Sequence, residues 1–323
     1  MAVSFTTLAV IAVMVGPRSV AHALVRLRPE WVVAAVAVSV LQVLASAWRW
    51  RFTAARLGVH LPYRRAVTEY YLATFLNQVL PGGVLGDVSR AWRHARGRHA
   101  SDFPRSESSS LSLRSVHAVV LERFSGQVVM MFIAAISAAS LGGVHTLVVA
   151  AAMLPIVGFA LHRVRFHLRL PTEEGFGGNA RRALGGSALP VQLASSVLIV
   201  ASYLTVYLLA ARAVGVTTPA LVLLPLLAPV LVTMLLPVTV AGWGVREGAA
   251  AALWGAVGLT ATDGVTVSVA YGLLVLVSSL PGAAVVVLTL RGEGPGRTAR
   301  RRREGSSGPA VAAHHQASGS EGA

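Results

Sequence analysis

Apolar residues fall along this chain in long uncharged runs, not in the alternation of a half-buried strand. The runs are Met1–Pro17, Trp31–Trp48, Tyr70–Gly86, Phe124–Leu161, Ala183–Ala211, Ala213–Val245 and Gly264–Leu290. A bilayer core takes about 20 apolar residues as a helix, so several runs fit one span each. Phe124–Leu161 is long enough for two and splits at Gly142-Gly143, a natural hairpin point. The expected fold is an all-α polytopic membrane protein of about 7–9 membrane segments, some short or re-entrant. The membrane domain is expected over 1–290, with repeat halves at about 30–142 and 190–290.

Composition agrees with the pattern. The chain is 54% hydrophobic and 13% charged, with a mean hydropathy of +0.66. A soluble domain carries about a quarter charged residues. The first run lacks a basic n-region and an A-x-A-like cleavage site, so it reads as a retained helix and not a signal peptide. The absence of cysteine excludes disulfides, thiolate metal sites and cysteine nucleophiles.

The net charge of +15 does not point to nucleic acid, because every basic residue is Arg and the arginines sit between apolar runs. One basic loop holds Arg90, Arg93, Arg96, Arg98, Arg105 and Arg114; another holds Arg163, Arg165, Arg169, Arg181 and Arg182. Placing these in the cytoplasm, with the Arg300–Arg303 tail, makes everything from Val116 onward alternate correctly in a plasma-membrane protein with a cytoplasmic C-terminus. Arg49, Arg51, Arg56, Arg64 and Arg65 read as a further cytoplasmic loop. Tyr70–Gly86 would then enter and leave from one side, and sequence leaves spanning and re-entrant readings open. The tail over 291–323, rich in Gly, Ser and Arg, is expected to be disordered.

One internal echo bears on function. "LPGGVLGDVSR" at Leu80–Arg90 aligns without gaps to "LPVTVAGWGVR" at Leu236–Arg246, matching Leu, Pro, Val, Gly and Arg. Chance is the rival explanation, but paired Pro/Gly-broken segments are also how many transporters build a binding site between two repeats.

The charges around these breaks are the candidate site. In "NQVLPGGVLGDVSRAWR", Asp87 reads either as a helix N-cap or as part of a phosphate site made by Gly83, Gly86 and Arg90. Arg90 reads either as a snorkelling charge or as the phosphate ligand. Glu69 and Asn77 are lesser candidates, and Asn77 could simply satisfy broken backbone. In "VVLERFSG", the neighbours Glu122 and Arg123 point apart on a helix, so each needs another partner at membrane depth. "GWGVREGAA" repeats the situation with Arg246 and Glu247 after Gly242 and Gly244. The simplest neutralising scheme crosses the halves, pairing Arg90 or Arg123 with Glu247 and Arg246 with Asp87 or Glu122. The pairs His94/His99 and His162/His167 lie in basic loops at a spacing unsuited to joint ligation, and read as surface residues. No catalytic, nucleotide or metal motif appears, so no cofactor is expected.

The stretches "SAWRWRFTAARLGV", "LNQVLPGGVLGDVSRAWR", "VVLERFSG" and "LLPVTVAGWGVREGA", in this order over about 30–290, resemble the transmembrane domain family of lysylphosphatidylglycerol synthases, also called flippase-like proteins. The resemblance implies a multi-span domain that handles lipids with charged or phosphorylated heads. In the full synthases this domain is fused to a cytoplasmic aminoacyl-transferase, for which this sequence shows no counterpart. Stand-alone relatives are associated with polyprenyl-phosphate sugars, so the cargo does not carry over. Gly97–Leu113 looks longer and more polar than the family pattern. The function expected is binding and translocation of an aminoacyl-phospholipid or a polyprenyl-phosphate-linked sugar. The rivals are a membrane-embedded transferase using Asp87 or Glu247 as general base, and an assembly partner of a glycosyltransferase. Expected partners are membrane lipids and a glycosyltransferase or other lipid-modifying enzyme, with no nucleic acid.

Overall fold

The computed structural model describes residues 25, 27–80, 85–96, 105–142, 175–235 and 240–292. The described elements are all helical, with no strand among the described residues. In order they are α1 (Pro29–Arg56), α2 (Tyr63–Val79), α3 (Leu85–Arg96), α4 (Arg105–Leu141), α5 (Phe176–Leu184), α6 (Leu189–Ala213), α7 (Ala220–Val232), α8 (Val245–Ala256) and α9 (Ala261–Gly292). Short 3₁₀ turns at Gly186–Ala188 and Thr233–Leu235 precede α6 and follow α7.

Four stretches are long and apolar enough to cross a bilayer: Pro29–Arg56, Ser110–Leu141, Gly186–Ala213 and Ala261–Thr289. Their ends follow local chemistry. Pro29 and Pro190 stand in the first turns of α1 and α6, where a missing N–H costs nothing. Arg56 and Arg212 stand in the last turns, complementing the helix dipole. α4 ends ahead of Gly142, whose φ of +68° is the left-handed conformation that closes helices. That is the break expected at Gly142-Gly143.

Between the first two spans the chain breaks. α2 gives way at the extended Leu80, and α3 begins at Leu85 and packs beside α2 as a hairpin. Gly86 makes this packing possible, since a Cβ there would collide with the Ala73 carbonyl of α2. Asn77 latches the hairpin: its Oδ1 accepts the Gly86 N–H (2.8 Å) and its Nδ2 donates to Asp87 (3.0 Å). Arg93 of α3 adds an ion pair to Glu69 of α2 at 2.8 Å.

Between the last two spans a second break follows the apolar α7, which carries Pro225 and Pro229 internally. The chain passes the Thr233–Leu235 turn and enters α8 through a bend in which Ala241, Gly242 and Gly244 all have positive φ. For Ala241 (φ +50°) this is strained, whereas glycine adopts it freely.

The two halves are joined by α1 and α6, which run antiparallel. Arg28 N–H donates to the Ala213 carbonyl (3.0 Å), Ser202 to Gln42 (3.2 Å), Arg49 to Ser196 (2.9 Å) and Gln192 to Thr53 (2.8 Å). Numbers rise on one helix as they fall on the other, so polar rungs cross this interface along its length. Small residues such as Ala35, Ser39, Ser46, Ala47 and Ala54 on α1 are buried. Small side chains admit close helix approach where no hydrophobic drive exists between helices in lipid.

Internal contacts divide the chain after Gly282, and the second unit is described only as the end of α9. Three sequence expectations change. α1 continues past Trp48 to Arg56, so Arg49 and Arg51 are helical and not in a loop. α4 starts at Arg105, so the later part of Gly97–Leu113, read as a loop, is helix. His94, read as a surface residue, is buried with its ring edge-on to Trp50 (centroids 5.4 Å apart). The expected first helix, the second half of Phe124–Leu161 and the tail from 293 onward lie outside the described residues, while Arg291 and Gly292, expected in the disordered tail, end α9.

Candidate functional site

Helical spacing gathers five charges beneath the first break. Arg49 of α1 donates from Nε (3.2 Å) and Nη2 (2.6 Å) to Oε1 of Glu122 on α4. The other Glu122 oxygen accepts from Arg90 Nη2 at 3.1 Å. The same Arg90 nitrogen lies 3.0 Å from Oδ1 of Asp87, one turn earlier on α3. That Asp87 oxygen also accepts from Arg123 Nε (2.9 Å) and Nη2 (2.8 Å). The result is an unbroken alternation: Arg123, Asp87, Arg90, Glu122, Arg49. Consecutive helix residues point about 100° apart. Glu122 therefore faces α1 and Arg90, while Arg123 turns to Asp87.

Arg90 and Glu122 are wholly buried. Arg90 is held by more than its carboxylates, because Trp50 and Tyr70 each place a ring 4.4 Å from its guanidinium carbon. Arginine is suited to such a site, being planar and weakly hydrated. Its Nε and Nη1 have no hydrogen-bond partner among the described residues, and the flanking rings take that role. The Tyr70 hydroxyl also donates to Glu122 at 3.3 Å.

The second break carries a smaller, closed version. Glu247 accepts the Gly244 N–H on one oxygen (2.6 Å), capping α8. Its other oxygen accepts from Arg246 Nε (3.0 Å) and Nη2 (2.6 Å) and from the Ser268 hydroxyl (2.9 Å). Arg246 lies 5.1 Å from the Trp243 ring and 5.2 Å from that of Tyr271. Both members of the pair are buried.

A cavity of about 160 Å³ lies between these groups. Arg49, Tyr70, Arg123, Gly126 and Gln127 line it from α1, α2 and α4. Tyr203 lines it from α6, Leu231 from α7, Met234 and Leu235 from the turn after α7, and Tyr271 from α9. No Asp or Glu lines it among the described residues. The two ends of the charge chain, Arg49 and Arg123, both reach the cavity. Three arginines against two carboxylates leave one positive charge uncompensated within the chain. Arg123 is the accessible end, its side chain 27% exposed. It spends Nε and Nη2 on Asp87, and its Nη1 makes no hydrogen bond among the described residues.

The structure thus brings together Asp87, Arg90, Glu122 and Arg123, with Asn77 and Gly86 latching the hairpin beside them. It groups Gly242, Gly244, Arg246 and Glu247 separately; Gly83 lies outside the described residues. The cross-half pairing expected from the sequence does not occur, since each half neutralises its own arginine. The adjacent Arg246 and Glu247 do pair, because Glu247 folds back to the helix start and brings its carboxylate within reach of its neighbour. Asp87 is in the first turn of α3 and is no N-cap. Arg90 and Arg246 neither snorkel nor line the cavity.

Sequence reasoning missed Arg49, Tyr70, Tyr203 and Tyr271. For Arg49 a trace existed: Ser39, Gln42, Ser46 and Thr53 put small or polar residues at helical spacing around it within an apolar run. Among the described residues no cluster of three His, Asp or Glu is placed to hold a metal.

Fold and site together define a polytopic helical membrane protein with a buried charge chain that opens on an internal cavity. The family described as lysylphosphatidylglycerol synthase TM region matches residues 1–282, and the chain belongs to it. No curated protein and no solved structure matches the chain.

Proposed function

We propose that this protein binds a lipid through its charged or phosphorylated headgroup and carries it across the plasma membrane, as a flippase-like transporter with a cytoplasmic C-terminus. The observation that carries the reading is the uncompensated arginine charge at a cavity reached from both halves. In this reading Arg123, with Arg49 behind it, meets the headgroup. Asp87, Arg90 and Glu122 hold those two in place, while Arg246 and Glu247 brace the second break against Gly242 and Gly244. The transferase reading gains no support, because Asp87 and Glu247 are committed to arginines and neither lines the cavity.

The internal repeat is part of the proposal. Each half runs span, broken pair, span: α1, α2–α3, α4 and then α6, α7–α8, α9. Each break leads into a helix that buries one arginine between two aromatic rings and on a carboxylate. With the Arg-rich ends inside, the first pair enters from the cytoplasm and the second from outside. That is an inverted repeat, and it removes the conflict over Tyr70–Gly86 by making α2–α3 re-entrant.

The test is reconstitution into liposomes with headgroup-labelled lipids, scoring translocation and any new product together. Arg123→Ala is expected to lower translocation by at least about tenfold with the protein still folded, the loss of one charge-assisted contact. Normal translocation by this variant, or appearance of a modified lipid, would overturn the proposal. A glycosyltransferase partnership without transport would show as no translocation by the wild-type chain.

A further inference from the structure

We infer that the cavity selects by net headgroup charge, accepting lipids whose phosphate leaves the head anionic and refusing aminoacylated lipids whose ammonium groups make it cationic. This rests on the cavity being a headgroup site, and it chooses between the two cargo classes left open above.

A cationic head is stabilised by a carboxylate or by an aromatic face that no arginine already takes, and the described lining supplies no carboxylate and one such face, that of Tyr203. Among the described residues the lining contains Arg49 and Arg123 and no carboxylate. The carboxylates of the charge chain are already engaged by arginines. Glu122 takes donors from Arg49 twice, from Tyr70 and from Arg90. Asp87 takes them from Asn77, from Arg123 twice and from Arg90. Each carboxylate thus already meets two arginines, and neither is among the residues described as lining the cavity. Two of the three aromatic residues in the described lining already face arginines. Tyr70 already faces Arg90 at 4.4 Å and Arg123 at 5.2 Å, and Tyr271 faces Arg246 at 5.2 Å.

An anionic phosphate meets the opposite conditions. It supplies the one negative charge that the five-residue chain lacks, and Arg123 Nη1 is available to donate to it. A lysyl ester of a phospholipid brings two ammonium groups against one phosphate. It would add positive charge to a low-dielectric site that already has an excess.

The test measures binding and transport on the same detergent-purified and liposome-reconstituted protein. Acyl-labelled phosphatidic acid is the probe, with phosphatidylglycerol, phosphatidylcholine and lysylphosphatidylglycerol as competitors. Phosphatidylglycerol is expected to compete at least about tenfold better than its lysyl ester, as a reversal of charge beside one arginine implies. Arg123→Gln is expected to flatten that preference. Gln127→Glu, one turn beyond Arg123 in the lining, is the second variant, because it installs the missing carboxylate with almost no change of volume. It is expected to invert the order in favour of the lysyl lipid. Inorganic phosphate should displace the probe only at concentrations about a thousandfold higher, for want of acyl chains. Displacement at comparable concentration would make this a free-phosphate site and overturn the inference. Equal or tighter binding of the lysyl lipid would also overturn it, whether or not lipids are moved. Selective binding without translocation would instead sink the transport reading and leave the selection standing.

Discussion

Arg90 Nη2 touches Asp87 and Glu122 at once, so this residue couples the two carboxylates that aim the cavity arginines. Lysine could keep the charge but not the flat face that Trp50 and Tyr70 enclose. Arg90→Lys should therefore lose about 1–3 kcal/mol of stability, through the stacking and the second ion contact. Arg90→Ala should lose about 3–5 kcal/mol, because it strands two carboxylates in a low-dielectric interior. Unfolding in detergent measures both. Equal stability of wild type and Arg90→Lys would mean that the rings contribute nothing. Glu122→Gln tests the same chain from its negative side and should cost a similar amount, since Arg49 and Arg90 then share the interior without their common partner.

The α2–α3 hairpin stands or falls with its closest approach. Gly86→Ala puts a methyl group against the Ala73 carbonyl, and neither backbone can yield without parting the helices. About 1–3 kcal/mol of destabilisation is expected, with weaker headgroup binding because Asp87 moves with α3. Asn77→Ala should be milder, about 1–2 kcal/mol, from loss of two hydrogen bonds. The elements were legible to different depths in the sequence. Apolar runs located the four spans, and Gly142 marked the end of α4, because burial in lipid and glycine's left-handed φ are local requirements. The carboxylates and Arg90, Arg123 and Arg246 stood out because charge near an apolar run is costly and needs a reason. Arg49 did not, since an arginine followed by Arg51 and Arg56 looks like an interfacial anchor until Glu122 and Ser196 are seen opposite it. Which carboxylate meets which arginine depends on how helices cross, and spacing along one helix carries no such information.

For the molecule as a whole, the proposed inverted arrangement carries a topological prediction. Reporters after Arg182 should read cytoplasmic and reporters near Thr262 external, with Val216 on the same side as Thr262. Opposite sides for Val216 and Thr262 would turn α7–α8 into a full crossing and remove the inverted repeat. The polar rungs between α1 and α6 have a separate consequence. They join the first half to the second with matched donors and acceptors at four levels, independently of the covalent connection ahead of Gly175. Two polypeptides, 1–174 and 175–323, should therefore find one another when expressed together and recover the binding of the intact chain, while either alone is degraded. A chain assembled in this way behaves as a heterodimer whose subunits happen to be encoded in tandem.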